Sequence, residues 1–515
     1  MPKLDWKKKD EKKAQRSEDS QDSDEFDVLE SLNNPIINSS EFNNGISKNK
    51  LTGNHLQKIS SNCWKNLLIW GENKSILRTL NLKFSNKIKL IYIDPPYATG
   101  TNFESKTFIG ENYAFEKKKA YSDIWRGGID EYIEFLYERL LLMKNLLSDD
   151  GSIYIHLDWH VSHYIQVLLD EIFGKENFQN SIIWAYPAAS AKTRRFFIRS
   201  FDTILFYTKS NDYTFNDVPE IYMEYSDRVK FALKEDEKGT FYYRGGSHDG
   251  KKLSQKVYVS NKGIFPRDVW TDIPYIRANT LEYQAFSTQK PERLMKRIIL
   301  ASSNKNDIVA DFFCGTGTTL AVAEKLGRRW IGSDVAKQSI EISRKRILNV
   351  RNSNDLIDWK KKYEMRAQPF EIVKKHGHER LFNVHKDFLI EKIQNKDIIS
   401  LIQNIKFVIN ISKKDSEVTV ELSDFIVPNL NLIKDNIKNK IVIFSDWIDS
   451  WAIDFNHQEH TFSTTWVSYR TLKNRKLNLT SASHNYEDKG KYKISIKVND
   501  ILGIETIQDY DVVIT

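Results

Sequence analysis

At 515 residues with 40% hydrophobic side chains, the chain is long enough for two or three domains with substantial cores, and its net charge of +8 permits a polyanionic partner without naming one. Two cysteines, Cys63 and Cys314, exclude a disulfide framework and a cysteine-rich zinc site, and suit a reducing cytoplasm. The first residues have no apolar core behind their charges and no run of about 18 apolar residues occurs, so neither a secretory signal nor a transmembrane helix is expected.

Residues 1–60 pass from a basic stretch at 7–16 through an acidic one at 18–30 into Asn/Ser-rich sequence, and read as a disordered charged tail. Order is expected from about Asn62. A short apolar run at 67–70 closes on Gly71-Glu72-Asn73, and Ile76, Leu77 and Leu80 follow at helical spacing. Residues 90–93 form a buried-type strand ending at Asp94. Ile133, Leu136, Leu140, Met143 and Leu147 then predict a helix over 130–147, Asp149-Asp150-Gly151 a turn, and 152–157 a strand. A helix through Val161, Ile165, Leu168, Leu169 and Ile172 stops at Gly174. Strands alternating with helices predict an α/β domain over 61–350 with a mostly parallel sheet.

Between 185 and 285 that rhythm breaks into aromatic, basic and turn-rich sequence, such as Tyr242-Tyr243-Arg244-Gly245-Gly246, although 202–207 still reads as a strand. It resumes with a helix at 292–301, a strand at 307–312, a glycine loop, a helix through Leu326 and a strand at 329–333. Residues 351–404 read as a helical linker. Short alternating strands at 405–411, 441–444 and 492–498 predict a separate β-sandwich-like domain over 405–515. Within it, 486–503 resembles the final hairpin of immunoglobulin-like PKD domains.

Asp94-Pro95-Pro96-Tyr97 ends a buried strand. Two prolines lack N–H groups and fix φ, so they cannot extend a sheet and instead make a rigid turn. The turn projects Asp94 and the Pro95 carbonyl from the strand's carboxyl end, where open α/β sheets bind ligands. Two acceptors there suit the hydrogens of an –NH2 group. An exocyclic base amine is a poor nucleophile, and accepting its hydrogens stabilises the positive charge that builds as it attacks carbon. Tyr97 offers a flat face for an extruded base. The bland alternative is a structural strand-end turn.

Asp311-Phe312-Phe313-Cys314-Gly315-Thr316-Gly317-Thr318 also follows a strand and opens a helix. Gly315 and Gly317 admit close approach of a ligand to the backbone, although a short Gly-x-Gly loop is often structural. Asp334 ends the next strand, where an acid binds ribose hydroxyls in nucleoside-binding sheets. The third glycine of the dinucleotide fingerprint is missing, which favours a nucleoside without a pyrophosphate.

These two motifs, catalytic first and glycine loop last, resemble the β-class of amino-group DNA methyltransferases, and most closely the modification subunits of type III restriction systems. His156-Leu157-Asp158-Trp159, Asp170-Glu171-Ile172-Phe173-Gly174, Val269-Trp270-Thr271-Asp272 and Thr288-Gln289-Lys290-Pro291 add to the likeness, which spans 65–350. The resemblance implies a seven-stranded Rossmann-like sheet in permuted order, S-adenosylmethionine as cofactor, and methyl transfer to N6 of adenine in double-stranded DNA. It implies Asp94, Pro95, Pro96 and Tyr97 as the catalytic residues. Cofactor would be held by residues 311–318 with Asp334, by Glu72 and Asn73 near its adenine, and by Thr288, Gln289 and Lys290 near its methionine end. It places target recognition at 185–285, where Lys192, Arg194, Arg195 and Arg199 suit phosphate contacts. It admits a homodimer and a helicase/nuclease restriction subunit as partners, and a bacterial cytoplasmic, DNA-associated location.

Alternatives from the residues stay open. N4 methylation of cytosine uses the same chemistry, but those enzymes more often carry Ser before Pro-Pro. A recognition subunit serving chiefly a nuclease partner is the third reading; the sequence holds no helicase P-loop. Asp158 reads equally as a ligand contact or a helix N-cap, no metal site is expected at His156, His160 and His163, and Cys314 reads as a small packing residue rather than a nucleophile.

Overall fold

The computed structural model describes residues 25–33, 64–112, 114–187, 195–248, 251–286, 288–376, 386–390, 394–458 and 461–515. Its centre is one sheet of β1 (Phe26–Leu32), β2 (Asn66–Trp70), β3 (Ile88–Ile93), β4 (Leu147–Leu157), β5 (Phe178–Ala185), β6 (Phe201–Thr208), β7 (Val269–Trp270), β8 (Ile308–Asp311), β9 (Arg329–Asp334), β10 (Phe370–Lys375) and β11 (Phe462–Thr464). They lie in the order β7-β5-β6-β4-β3-β8-β9-β2-β10-β1-β11. From β4 across to β10 every neighbouring pair is parallel, while β6 runs antiparallel to both β4 and β5. The seven strands implied by the resemblance are present as β2, β9, β8, β3, β4, β6 and β5. The sheet extends past them on both edges, so it has eleven strands rather than seven.

The strands form because they are apolar on both faces. Leu67, Ile69, Ile91, Ile93, Ile153 and Ile155 join one core with α1 (Asn73–Phe84), α2 (Ile129–Leu146) and α3 (Ser162–Phe173). Their alternates Leu68, Leu90, Tyr92, Tyr154 and Val309 join the other, with α4 (Glu292–Ser302), α5 (Thr318–Lys325) and α6 (Lys337–Leu348). Each fully buried side chain of this size contributes about 1.5–3 kcal/mol, so strand registers that expose either set are strongly disfavoured. This is the doubly wound, Rossmann-like arrangement.

Three expectations are corrected. Residues 26–32 are not a disordered tail: β1 pairs antiparallel with β10 and parallel with β11. Glu30, only 3% exposed, sits 3.0 Å from Arg344 Nε and 2.6 Å from Lys497 Nζ. Its cationic partners lie in distant segments, so an acid that reads as solvated is in fact a buried partner. Apart from Glu25 and Asn33, the rest of 1–60 and its neighbours to 63 lie outside the described residues. Residues 351–404 are not a helical linker, because Phe370, Ile372 and Val373 bury themselves on the sheet as β10; among the described residues of this span the α-helix is confined to Asn395–Asn404. The strand expected at 441–444 is a turn running into a 3-10 helix at Phe444–Trp447, since the Asp446 carboxylate accepts from Val442 N (2.9 Å) and Ile443 N (3.1 Å).

The break expected at 185–285 also proves composite. β6 and β7 belong to the central sheet, and the true excursion between them holds a small antiparallel sheet of Lys234–Asp236, Gly239–His248 and Lys251–Tyr258. The C-terminal region packs two sheets on one core. Lys406–Lys414, Glu417–Ile426 and His484–Asn485 make one; Trp466–Tyr469, Ile448–Asp454, Gly490–Asp500 and Glu505–Ile514 make the other. The last hairpin joins 490–500 to 505–514, later than the segment read from sequence. Among the described residues no helix is long and apolar enough to cross a membrane.

Candidate active site

β3 and β8 are neighbours and parallel, so Asp94 and the 311–318 loop, far apart in sequence, leave the sheet side by side at its carboxyl edge. β4 and β9 flank them. This edge is where the chain order of the sheet doubles back, and such switch points open a crevice.

At the first turn, the Tyr97 hydroxyl donates to Asp94 Oδ1. Lys290 Nζ donates to the Tyr97 oxygen at 2.9 Å and stands 3.4 Å from Asp94 Oδ2. Burial, then the charges of Asp94 and Asp202, push the Tyr97 phenol well above its ordinary value, so it stays a neutral donor. Each Asp94 oxygen keeps a second lone pair for an incoming –NH2. The Lys290 side chain thus braces the Asp94 turn, while its backbone carbonyl accepts from Thr318 Oγ1 of the glycine loop at 3.2 Å, so the residue expected near the methionine end of the cofactor ties the two turns together.

Sequence reasoning missed what shapes this turn. The fully buried Asp123 carboxylate accepts from the backbone N of Tyr97 (3.2 Å), Ala98 (2.9 Å) and Thr99 (2.8 Å), and from Trp125 Nε1 (2.9 Å). Ala98 has φ +56°, a left-handed conformation costing an L-residue about 1–2 kcal/mol, and these bonds offset it. The sole sequence signal was an acid shortly after the motif in an otherwise basic stretch.

Behind the turn lies a second unread group. His156 is buried, with Nδ1 2.9 Å from the Tyr92 hydroxyl and Nε2 2.9 Å from Asp202 Oδ2. Burial alone would raise the Asp202 carboxyl, but His156, Lys290 and Tyr186 hold it far below its ordinary value. An ionised Asp202 accepts from His156 Nε2, and the Tyr92 hydroxyl holds the other ring nitrogen. The imidazole lies 17° from parallel with the Tyr97 ring, centroids 6.4 Å apart, and backs it. Asp158 is bound to His160, through its backbone N at 2.8 Å and its ring, and does not cap α3.

In the glycine loop the two glycines differ. Gly315 has φ +50°, and a Cβ there would meet nothing closer than the Phe313 carbonyl at 4.0 Å, so its open side faces free space. Gly317 has φ +70°, and a Cβ there would run into Ser343 of α6, so packing by itself requires glycine at this position. Asp334 Oδ2 accepts from Gly315 N (2.9 Å) and Oδ1 from Ala336 N (2.9 Å), which holds the loop over β9. Arg346, unread in the sequence, donates to Thr318 Oγ1 (2.8 Å) and the Thr316 carbonyl (3.2 Å). The Phe312 ring is fully buried in the core, so only its backbone borders the crevice. Phe313 meets Phe135 edge-on at 6.2 Å. Burial pushes the Cys314 thiol well above its ordinary value, away from nucleophilic chemistry.

Other implied cofactor residues are engaged within the protein. Glu72 caps α1 through Lys74 N and Ser75 N and pairs with Arg139. Asn73 donates to the Phe312 carbonyl at 3.1 Å, bracing the glycine loop from beneath. Gln289 is used by backbone, donating to the Glu282 carbonyl and accepting from Gln284 N, both 2.7 Å, which leaves one amide hydrogen and one oxygen lone pair. Thr288 is half-buried beside it. Of the basic cluster, Lys192 and Arg194 lie outside the described residues. Arg195 and Arg199 are exposed on the loop joining β5 to β6, at the same sheet edge, with the Arg199 guanidinium 3.8 Å over the Trp159 ring.

The crevice is acidic at depth. Burial first, then the charges of Asp94 and Asp334, push the Asp311 carboxyl up to about 7, against hydrogen bonds from Thr319 and Phe313 N. Burial likewise raises Asp334. Such a set suits a ligand carrying positive charge, with the open side of Gly315 giving it access to backbone.

A family model described as DNA methylase matches residues 88–345. The type II methyltransferase M.EcaI of Enterobacter cloacae is 32% identical over 331 residues, covering 55% of this chain and 69% of that protein. The DNA adenine methyltransferase YhdJ of Escherichia coli (strain K12) is 29% identical, covering 51% of this chain and 77% of it. The probable type III restriction-modification enzyme HindVI Mod subunit of Haemophilus influenzae is 25% identical, covering 52% of this chain and 48% of it. The matched span holds both the Asp94 turn and the glycine loop, and the chain belongs to the DNA methylase family.

Proposed function

We propose that this chain methylates N6 of adenine in double-stranded DNA at specific sites, as the modification component of a restriction-modification system. The observation that carries this reading is the pairing of the Asp94 turn with the glycine loop on adjacent parallel strands. S-adenosylmethionine, when bound, supplies a methyl group on a sulfonium. The buried acids Asp311 and Asp334 and the open backbone at Gly315 suit its charges and its nucleoside. Asp94 and the Pro95 carbonyl accept the hydrogens of the extruded base's amine and stabilise positive charge growing on its nitrogen. Tyr97, backed by His156 and tied to Lys290, holds the acceptor in place. The Arg195–Arg199 loop contacts phosphates at the mouth.

Digesting DNA methylated by the purified chain and identifying the modified nucleoside by mass tests the choice of base. N6-methyladenine is expected; N4-methylcytosine alone would sink it. The type III relative supports a separate restriction subunit as partner, and the same reading includes a homodimer and a cytoplasmic, DNA-bound location. A pull-down from the native host recovering a large helicase-like chain is the expected result, and a chain recovered alone argues for a solitary methylase.

Two cofactor predictions follow from the loop. Gly315→Val puts a branched side chain in the open space at φ +50° and should weaken S-adenosylmethionine binding by at least about tenfold in calorimetry. Binding should also strengthen as pH rises through about 7, because Asp311 is protonated below that value and a cationic ligand favours its carboxylate. Asp311→Asn should flatten this dependence; an unchanged pH slope in that variant would assign it to another group.

A further inference from the structure

We propose that the C-terminal domain is a clasp that positions the catalytic turn, acting through the hairpin Asn102–Ile109 and Ala114–Ser122, with Arg475 as the positioning residue. The hairpin starts just beyond the turn and returns to Asp123. At its base Gly100 N donates to the Asp123 carbonyl (3.1 Å) and Asp123 N to the Thr101 carbonyl (2.9 Å). Its two strands form a sheet of their own, outside the central one. An isolated two-stranded sheet is marginal in water, so its position depends on what grips it.

The grip comes from the C-terminal domain. Ile109, 1% exposed, is part of that domain's hydrophobic core. The carbonyl of Gly110 accepts from both Nε (3.1 Å) and Nη2 (2.9 Å) of the buried Arg475, whose guanidinium lies 5.6 Å from the Phe108 ring centroid. Gly110 has φ +59°, and a Cβ there would strike the Asp446 carboxylate, so the tip is closely fitted. On the other strand Lys440 Nζ donates to the Phe115 carbonyl at 2.9 Å and pairs with Glu116. Midway, Ser105 Oγ donates to Gln338 Oε1 at 2.7 Å, on the helix that follows the Asp334 strand. The segment carrying Tyr97 to Asp123 is thus held at its base by Asp123 and at its tip by a domain that touches no reacting atom.

This inference rests on the proposed methylation for its kinetic readout, and hydrogen exchange supplies a second that does not. In the full chain, Arg475→Ala should lower kcat at least tenfold, with the methyl donor radiolabelled S-adenosylmethionine and the acceptor genomic DNA from a methylation-deficient strain. S-adenosylmethionine should still bind one equivalent within about twofold of its original Kd, and amide exchange at Tyr97–Thr99 should quicken. Arg475→Lys, which keeps one donor, should recover part of kcat. An Arg475→Ala chain with unchanged kcat per binding site and unchanged exchange at 97–99 would overturn the clasp. Should that variant bind no cofactor, Lys440→Ala decides: faster exchange at 97–99 supports the clasp and unchanged exchange overturns it. An inactive wild-type chain would instead count against methylation and leave the exchange result standing.

Discussion

Asp94→Ala is expected to cut methyl transfer by about 10²–10³-fold or more while S-adenosylmethionine binding stays measurable. Asp94 directly follows β3, so its carboxylate is projected from the end of a buried strand. Its two oxygens already anchor the Tyr97 hydroxyl and approach Lys290 at 3.4 Å, so alanine also releases the groups that hold the turn. No other carboxylate replaces it there, because Asp202 is committed to His156 and Tyr186, and Asp123 to the backbone of Tyr97 to Thr99. Asp94→Asn keeps one acceptor oxygen and should fall between the two. Single-turnover transfer of labelled methyl to DNA measures this directly, and full activity in the alanine variant would remove the assignment of the turn.

Glu30→Ala is the largest expected stability effect. It leaves Arg344 and Lys497, 1% and 2% exposed, without their shared counter-ion, and breaking a buried ion pair from one side costs about 3–5 kcal/mol. Thr464 also donates to Glu30, so one carboxylate joins β1, α6, β11 and the strand Gly490–Asp500. A lower denaturation midpoint by chemical unfolding is expected, and a shift under about 1 kcal/mol would mean that water reaches the cluster. The wild-type chain should carry a matching acid signature. Burial alone would raise the Glu30 carboxyl, yet Arg344 and Lys497 overcome that and hold it at about 2, against an ordinary 4.5. A depressed folded-state value stabilises the fold fully above about 4.5 and loses that stability as pH falls toward about 2, about 3 kcal/mol in all. Glu30→Ala should lack this step.

Much of the α/β core was legible because its signals are local. Apolar runs bounded by turns placed β2, β3, β8 and β9 within two residues, and helical spacing placed α1, α2 and α3. The two chemical motifs were legible for the same reason: each is a strand end followed by residues with unusual backbone rules, two prolines in one case and two glycines in the other. Residues whose role depends on distant partners were not. Asp123, Asp202, Arg346 and Arg475 are ordinary charged residues in sequence, and each has a partner 24 to 365 positions away. The packing of Gly317 against Ser343 left no mark in the sequence, and β1 was read as solvated tail when its acid is buried.

By itself, then, the sequence determined the class of fold, the order of its halves and the two turns proposed to carry the chemistry, since each follows from periodicity or backbone geometry over a few residues. Tertiary structure alone decided which of two glycines faces open space, which acids lie buried together at the carboxyl edge, and that the C-terminal domain grips the hairpin beyond the catalytic turn. Those outcomes depend on burial and charge, and both are set by residues that only folding brings together.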